Sequence, residues 1–184
     1  MTPIDVAEAV IDEMFSKKLP IDRDEKSITF SHLVPYEEGR LRLVDTEIGW
    51  HPKNSLMGVT SIFRDLQLQE WVGGEAFFEA TESLMDPYLD GDEEDGYLKV
   101  FLYDDRILVP AYEAVINYSV LDNDELGTKL GVSLGRSIHA MTLLSPVLDE
   151  VRGEQKPSPY RLMKLVERAH GYCQLARNQP TCIQ

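Results

Sequence analysis

The sequence predicts an α+β fold: a small, mostly antiparallel sheet packed with several helices in a single domain. Three observations carry that expectation. Runs of period-two alternation at 27–34 and 40–48 lie close enough to pair as a hairpin. Stretches with apolar residues at helical spacing flank the strands, without the regular strand–helix alternation of a parallel sheet. A chain of 184 residues with 43% hydrophobic side chains supports one ordinary core. The reading places an α+β core at 1–152 and a basic C-terminal helix at 153–184, docked on the core or extending as a mobile arm beyond the linker-like GEQKPS.

Thr2 and Pro3 supply an N-cap and a first helical residue, and Asp5 puts an anion in the first turn, where the helix dipole favours one. Val6, Ala7, Val10, Ile11, Met14 and Phe15 then predict a helix to about Lys18, ended by Pro20. Ile28, Phe30, His32 and Val34 share one side of the next strand. His32 thus falls on an apolar face, where a histidine holding one hydrogen bond is a simpler reading than a catalytic base. After the turn-like PYEEG, Leu41 and Leu43 point one way from a second strand, Arg40 and Arg42 the other.

Between 54 and 72, Leu56, Val59, Phe63 and Leu66 have helical spacing, and a helix is expected there, although DLQLQEWV also alternates. A clearer helix is predicted over 75–88, then a strand over 97–103, a turn at Asp104 and Asp105, and a short strand over 106–109. Pro110 is read as opening a helical segment to about Leu121. Asp122 and Glu125 form a capping box for a further helix carrying Leu126, Leu130, Leu134 and Ile138. Gly127, Gly131 and Gly135 line the same helix, each costing about 1 kcal/mol relative to alanine. Close approach of another helix would offset that cost, and a homodimer through this row is one form of it. Ser145 and Pro146 are expected to restart or kink the helix. A last helix begins at Ser158 and Pro159, with Leu162, Leu165, Val166, Ala169 and Cys173 inward and Arg161, Lys164 and Arg168 outward.

Charge is strongly segregated. Residues 1–74 carry net −5, residues 75–125 net −13 from 15 acids and 2 bases, and residues 126–184 net +4. The middle block repels polyanions, so no nucleic acid is expected on it, while a basic protein surface is attracted. The N-terminus lacks the basic and apolar regions of a signal peptide. Nowhere does an apolar run approach the ~18 residues of a membrane span. A cytoplasmic protein with no membrane contact is expected. Cys173 and Cys182 are too few for a disulfide framework or a structural zinc, and reduced thiols are expected. The terminal TCIQ is no prenylation box, because Thr181 stands where the cysteine is required.

The acidic stretch LDGDEEDGYLKVFLYDDRILVP, 89–110, fails the calcium-loop register. Counting from Asp90, the position that needs glycine is Asp95 and the position that needs glutamate is Phe101. GVSLG, 131–135, matches the G-x-S-x-G elbow of α/β-hydrolases, and Ser133, Asp149 and His170 follow in that family's order. The residues before it are helical in pattern, however, and leave no room for the intervening strands. VDTEIG, 44–49, resembles the first motif of the three-prime exonucleases that use two metal ions. In that family Asp-x-Glu on a strand holds magnesium, because alternate strand residues point the same way. The resemblance implies that Asp45 and Glu47 would hold the metal, with Asp104 in the second motif and Tyr118 and Asp122 in the third. It departs from the family in lacking the asparagine before the second motif and in the short gap between second and third.

The leading expectation is a non-catalytic, acidic protein-binding or regulatory protein of the inhibitor, immunity or chaperone type. Asp90, Asp92, Glu93, Glu94, Asp95, Asp104 and Asp105 would meet a basic partner, with no cofactor and no bound metal implied. The alternative is a divalent-metal-dependent phosphodiesterase using Asp45 and Glu47.

Overall fold

The structure, a computed structural model, describes residues 1–15, 19–37, 39–64, 97–103 and 107–151, together with 158, 160–161, 164–165 and 167–168. It is an α+β domain in which six antiparallel strands form one sheet and two described helices cover one of its faces.

Helix α1 (Pro3–Met14) begins as its sequence dictates. The Thr2 hydroxyl accepts from the Asp5 amide and the Asp5 carboxylate accepts from the Thr2 amide at 2.8 Å, a reciprocal capping box. It buries Ile4, Val6, Ala7, Val10 and Ile11. It stops at Met14, short of Lys18, where Phe15 turns to an extended conformation and its half-buried ring packs against the core.

The strands are β1 (Ile21–Arg23), β2 (Ser27–Glu37), β3 (Arg40–His51), β4 (Leu56–Phe63), β5 (Tyr97–Tyr103) and β6 (Ile107–Asn117). Their order is β1-β2-β3-β4-β6-β5, so a meander of four strands is joined by β6 and closed at the edge by β5. The β2–β3 hairpin turns at Gly39, whose φ of 72° suits glycine. Alternation then sorts the side chains. Ile28, Phe30, His32, Val34 and Tyr36 of β2 face the helices with Val44, Thr46 and Ile48 of β3, Met57, Val59, Ser61 and Phe63 of β4, and Tyr112, Ala114 and Ile116 of β6.

Several expectations are corrected here. The helix read between 54 and 72 is strand β4 over its described part, because Met57, Val59, Ser61 and Phe63 all face inward between β3 and β6. The segment after Pro110 is not a helix but the continuation of β6 to Asn117, hydrogen-bonded along β4 from Ala111 onward. Pro110 lies one position beyond that ladder, where a sheet tolerates a missing N–H. The alternation read for β3 holds, with Leu41 and Leu43 on the outer side, Leu41 remaining 58% exposed, and Arg42 on the other, over the Tyr36 and Phe63 rings. The helix predicted over 75–88 and the turn at Asp104 and Asp105 lie outside the described residues.

Helix α2 (Asn123–Val151) carries the capping box read from the sequence. The Asp122 carboxylate accepts from the amides of Asp124 and Glu125, each at 2.9 Å, and the Glu125 carboxylate accepts from the Asp122 amide at 3.0 Å. Pro146 does not restart it; the helix runs through. An interior proline costs about 3 kcal/mol, offset here by the complete burial of Leu143, Leu144, Val147 and Leu148 around it. The close approach expected at the glycine row is made within the chain, by α1. A Cβ on Gly127 would meet Val6 at 3.6 Å and Val10 at 3.7 Å, and one on Gly131 would meet Val10 at 3.9 Å. In the C-terminal stretch Ser158 caps Arg161, Arg161 pairs with Glu150 at 2.7 Å, and Leu165 packs against the core. No helix among the described residues is long and apolar enough to cross a membrane.

Candidate functional site

The two faces of the sheet carry different polar groups. On the helix side, a line of hydroxyls crosses the core. Ser137 of α2 donates to Ser61 of β4 at 2.6 Å, Ser61 and Thr46 of β3 share a bond of 2.8 Å, and Thr46 meets His32 Nε2 of β2 at 3.1 Å. All four side chains are buried. The rings of Phe15 and Phe30 flank the imidazole at centroid distances of 5.0 and 5.7 Å. Among the described residues His32 Nδ1 has no hydrogen-bond partner. Burial holds the ring's pKa down to about 4, with the Asp45 carboxylate opposing in part. The ring is therefore neutral at physiological pH, and it holds the one hydrogen bond that its place on an apolar face led one to expect.

On the opposite face, the register aligns Asp22, Thr29, Glu47, Thr60 and Glu113 in a single row. Every second strand thus presents a carboxylate, and strands lie about 4.8 Å apart, so acids along the row are roughly 10 Å from one another. That spacing offers a field rather than a coordination site, and no group of metal-binding side chains occurs among the described residues. Beside the row, Asp45 is engaged from two sides. Ser31 donates to it at 2.6 Å, and Arg64 reaches both its oxygens, at 2.7 and 2.9 Å. Partial burial raises the Asp45 pKa, but the bonds from Arg64 and Ser31 outweigh this and leave it below the usual carboxylate value. Leu33, Leu41 and Val115 are exposed on the same face, whereas Ala111 is buried.

A third group ties α2 to the strands. Asp149 accepts from the Tyr36 hydroxyl at 2.8 Å and from Arg42, whose side chain is only 11% exposed, and Arg40 adds a longer contact at 3.6 Å.

These placements decide what the motif readings can draw on. Asp45 and Glu47 share one face, as their spacing required, but the Asp45 carboxylate is held by Arg64 and Ser31. Of the other residues in the exonuclease-like reading, Tyr118 packs against the core, Asp122 caps α2, and Asp104 lies outside the described residues. Ser133 is buried in mid-helix rather than on a strand-to-helix elbow, and Asp149 is bound to Arg42 and Tyr36. His170 is outside the described residues. So are Asp90, Asp92, Glu93, Glu94, Asp95 and Asp105. Of the acids in 75–125, the described ones whose side chains are placed are Glu113 on the sheet and Asp122, Asp124 and Glu125 at the start of α2. Sequence reasoning missed the hydroxyl line and the Asp149 tie. Comparison with known proteins adds nothing: no family model matches the chain, and no curated protein matches it.

Proposed function

We propose that this is a non-catalytic protein-binding or regulatory protein of the cytoplasm, of the inhibitor, immunity or chaperone type, whose acidic 75–125 region engages a basic surface on another protein. The observation that carries the reading is the net charge of −13 over 75–125 against +4 over 126–184. A field of that size speeds encounter with a cationic partner and rejects polyanions, which sets partner choice more than affinity. The row of Asp22, Glu47 and Glu113 supports the reading, since it extends negative charge onto the sheet face away from the helices. Asp92, Glu93, Glu94 and Asp95, with Asp90, Asp104 and Asp105, are the residues proposed to meet the partner first.

A pull-down at low and high salt tests this. The partner should be retained at 50 mM salt, be lost or much reduced at 500 mM, and be lost at low salt from a variant with Asp92, Glu93, Glu94 and Asp95 changed to Asn or Gln. Equal retention by that variant would sink the acidic-surface reading. A homodimer through α2 would have to use the Gly135 end of the row, where an added Cβ meets nothing within 4 Å. Light scattering that shows a monomer at high concentration, or an assembly unchanged by Gly135→Leu, ends that part.

A further inference from the structure

Helix α1 is attached to the domain along its buried apolar face, Ile4, Ala7 and Ile11 lying in the core, and by more specific contacts at two places. Val6 and Val10 rest on Gly127 and Gly131 of α2, and Phe15 at its C-cap lies on Phe30, at 5.3 Å, and on His32 of β2. Arg23 adds ion pairs to Glu8 at 2.6 Å and Asp5 at 3.9 Å, both solvent-exposed and weak. Phe15 thus packs on the imidazole that carries the one described buried side-chain nitrogen without a partner. We propose that His32 is a proton-operated latch: when its ring takes up a proton, Phe15 lifts and the C-terminal end of α1 leaves the sheet while the strands and α2 stay folded.

The hydrogen-bond inventory gives the reason. A neutral imidazole has one N–H and one bare nitrogen, and Thr46 satisfies Nε2 whichever way that bond runs. A protonated ring has two N–H donors, and Nδ1 then needs an acceptor that the described residues do not offer. Among the described residues, the groups around it are the Phe15 ring from α1, the Phe30 ring from β2, Thr46 from β3 and, through Ser61, Ser137 from α2. The charge that acts on the ring is Asp45, which points to the other face of the sheet and is already bound by Arg64 and Ser31. Tyr36, further along the inner face of β2, is tied to Asp149, and the half-buried His139 lies two residues beyond Ser137 on α2. Water is the remaining acceptor, and Phe15 stands over the ring. Phe15 is also the neighbour easiest to move, because it is outside the helix body and, among the described residues, holds its place by one backbone bond, to Ile11 at 2.9 Å, and by its ring contacts. The depressed proton affinity of the closed form agrees with this, and it sets the working range between about pH 6.5, the value of a free imidazole, and about 4. This inference is independent of the acidic-partner reading.

Amide hydrogen exchange, read as protection factors between pH 7 and 5 on the wild type and on His32→Phe, tests it. His32→Phe keeps a ring in the site and removes both nitrogens. In the wild type the opening equilibrium at the Phe15 amide should rise about tenfold for each pH unit below 6.5, by the one-proton linkage. It should stay level in His32→Phe, and at every pH Phe15 should open more readily than Val59 and Ile116 in the sheet. A level Phe15 response in the wild type overturns the proposal, as does an equal slope in His32→Phe. It is equally overturned if Phe15 shares one opening equilibrium with Val59 and Ile116, since α1 then does not move alone. If His32→Phe does not fold, ring nitrogen shifts of wild-type His32 decide. Titration below pH 5 together with loss of the Phe15–His32 contact supports the latch, and titration near 6.5 with that contact intact rejects it.

Discussion

Asp149→Ala is the substitution whose cost the structure fixes most closely. The carboxylate holds three groups, and they are not equivalent. The Tyr36 hydroxyl loses one neutral-to-charged bond of 2.8 Å, a loss of about 1.5 kcal/mol. Arg40 is 60% exposed and 3.6 Å away, so its share is at most about 0.5 kcal/mol. Arg42 decides the outcome, because its side chain is 11% exposed and lies over the Tyr36 and Phe63 rings, leaving a nearly buried cation without its anion. Breaking a fully buried pair costs about 3–5 kcal/mol; since Asp149 is 30% exposed and water can reach the gap, about 1–2 kcal/mol is the fair share here. The total is about 3 kcal/mol. With a urea m-value of about 2 kcal/mol/M, the midpoint of urea unfolding should fall by about 1.5 M. Arg42→Met combined with Asp149→Leu should recover most of the loss, because the penalty belongs to the stranded charge. A midpoint shift below about 0.5 M for Asp149→Ala, or a double variant no better than the sum of the two single ones, would refute the reasoning.

Ser55 has a φ of 53° in the β3–β4 turn, a left-handed conformation that costs a side-chain-bearing residue about 1 kcal/mol. Ser55→Gly should stabilise the domain by about 0.5 kcal/mol after the extra freedom of the unfolded chain, and raise the melting temperature by about 1–2 °C; a lower melting temperature would contradict it. Gly135→Ala should add about 1 kcal/mol, since an added Cβ there has open space. Gly127→Leu should remove about 1–3 kcal/mol, since Val6 and Val10 already stand at contact distance, and equal effects at the two sites would be inconsistent with α1 packing on that row. Asp45 has a depressed pKa in the folded state, so its contribution is present above the ordinary carboxylate range and is lost as pH falls through its folded value. Exposure limits that contribution to under about 1 kcal/mol, and the stability gap between wild type and Asp45→Asn should close as the pH falls below about 4; a gap that stays constant to pH 2.5 would count against it.

What could be read from the sequence was what depends on neighbours. The cap at Thr2, Pro3 and Asp5, the box at Asp122 and Glu125, and the alternation of Ile28, Phe30, His32 and Val34 are all local, and each stands in the structure as its chemistry requires. β4 was obscured because one of its inward positions is Ser61. The serine interrupts the apolar alternation that marks a strand, and what makes serine suitable there, its bonds to Thr46 and Ser137, involves residues 15 and 76 positions away. β6 was obscured by Pro110, a residue whose meaning depends on where the neighbouring ladder ends. The same limit applies to the site. The face that His32 occupies follows from period two, but Arg42 and Asp149 are 107 residues apart, and nothing in the chain between them announces the pair.

The two faces are separated by one layer of backbone, and that has a consequence for binding. Along β2 and β3, Ser31 and Asp45 point out while His32 and Thr46 point in, so a cation brought to Asp45 sits within roughly 8 Å of the His32 ring. With an effective dielectric constant of about 40, two unit charges at that distance repel by about 1 kcal/mol. A basic partner seated on the outer face should therefore make His32 harder to protonate, and by reciprocity protonation of His32 should weaken that partner's binding by the same factor, about fivefold. Acid also titrates carboxylates, which weakens binding by itself, so the comparison has to be made against His32→Phe. With its pKa at about 4 the ring is only about one-tenth protonated at pH 5, so the informative ratio is that of the dissociation constants at pH 3.5 and pH 7, which should be about 2.5-fold larger in the wild type than in His32→Phe for a cationic partner. Equal ratios would mean either that the partner does not approach Asp45 or that the ring does not take a proton while it is bound. The same measurement on Asp45→Asn separates these, because removing the outer carboxylate weakens the partner only if it binds there.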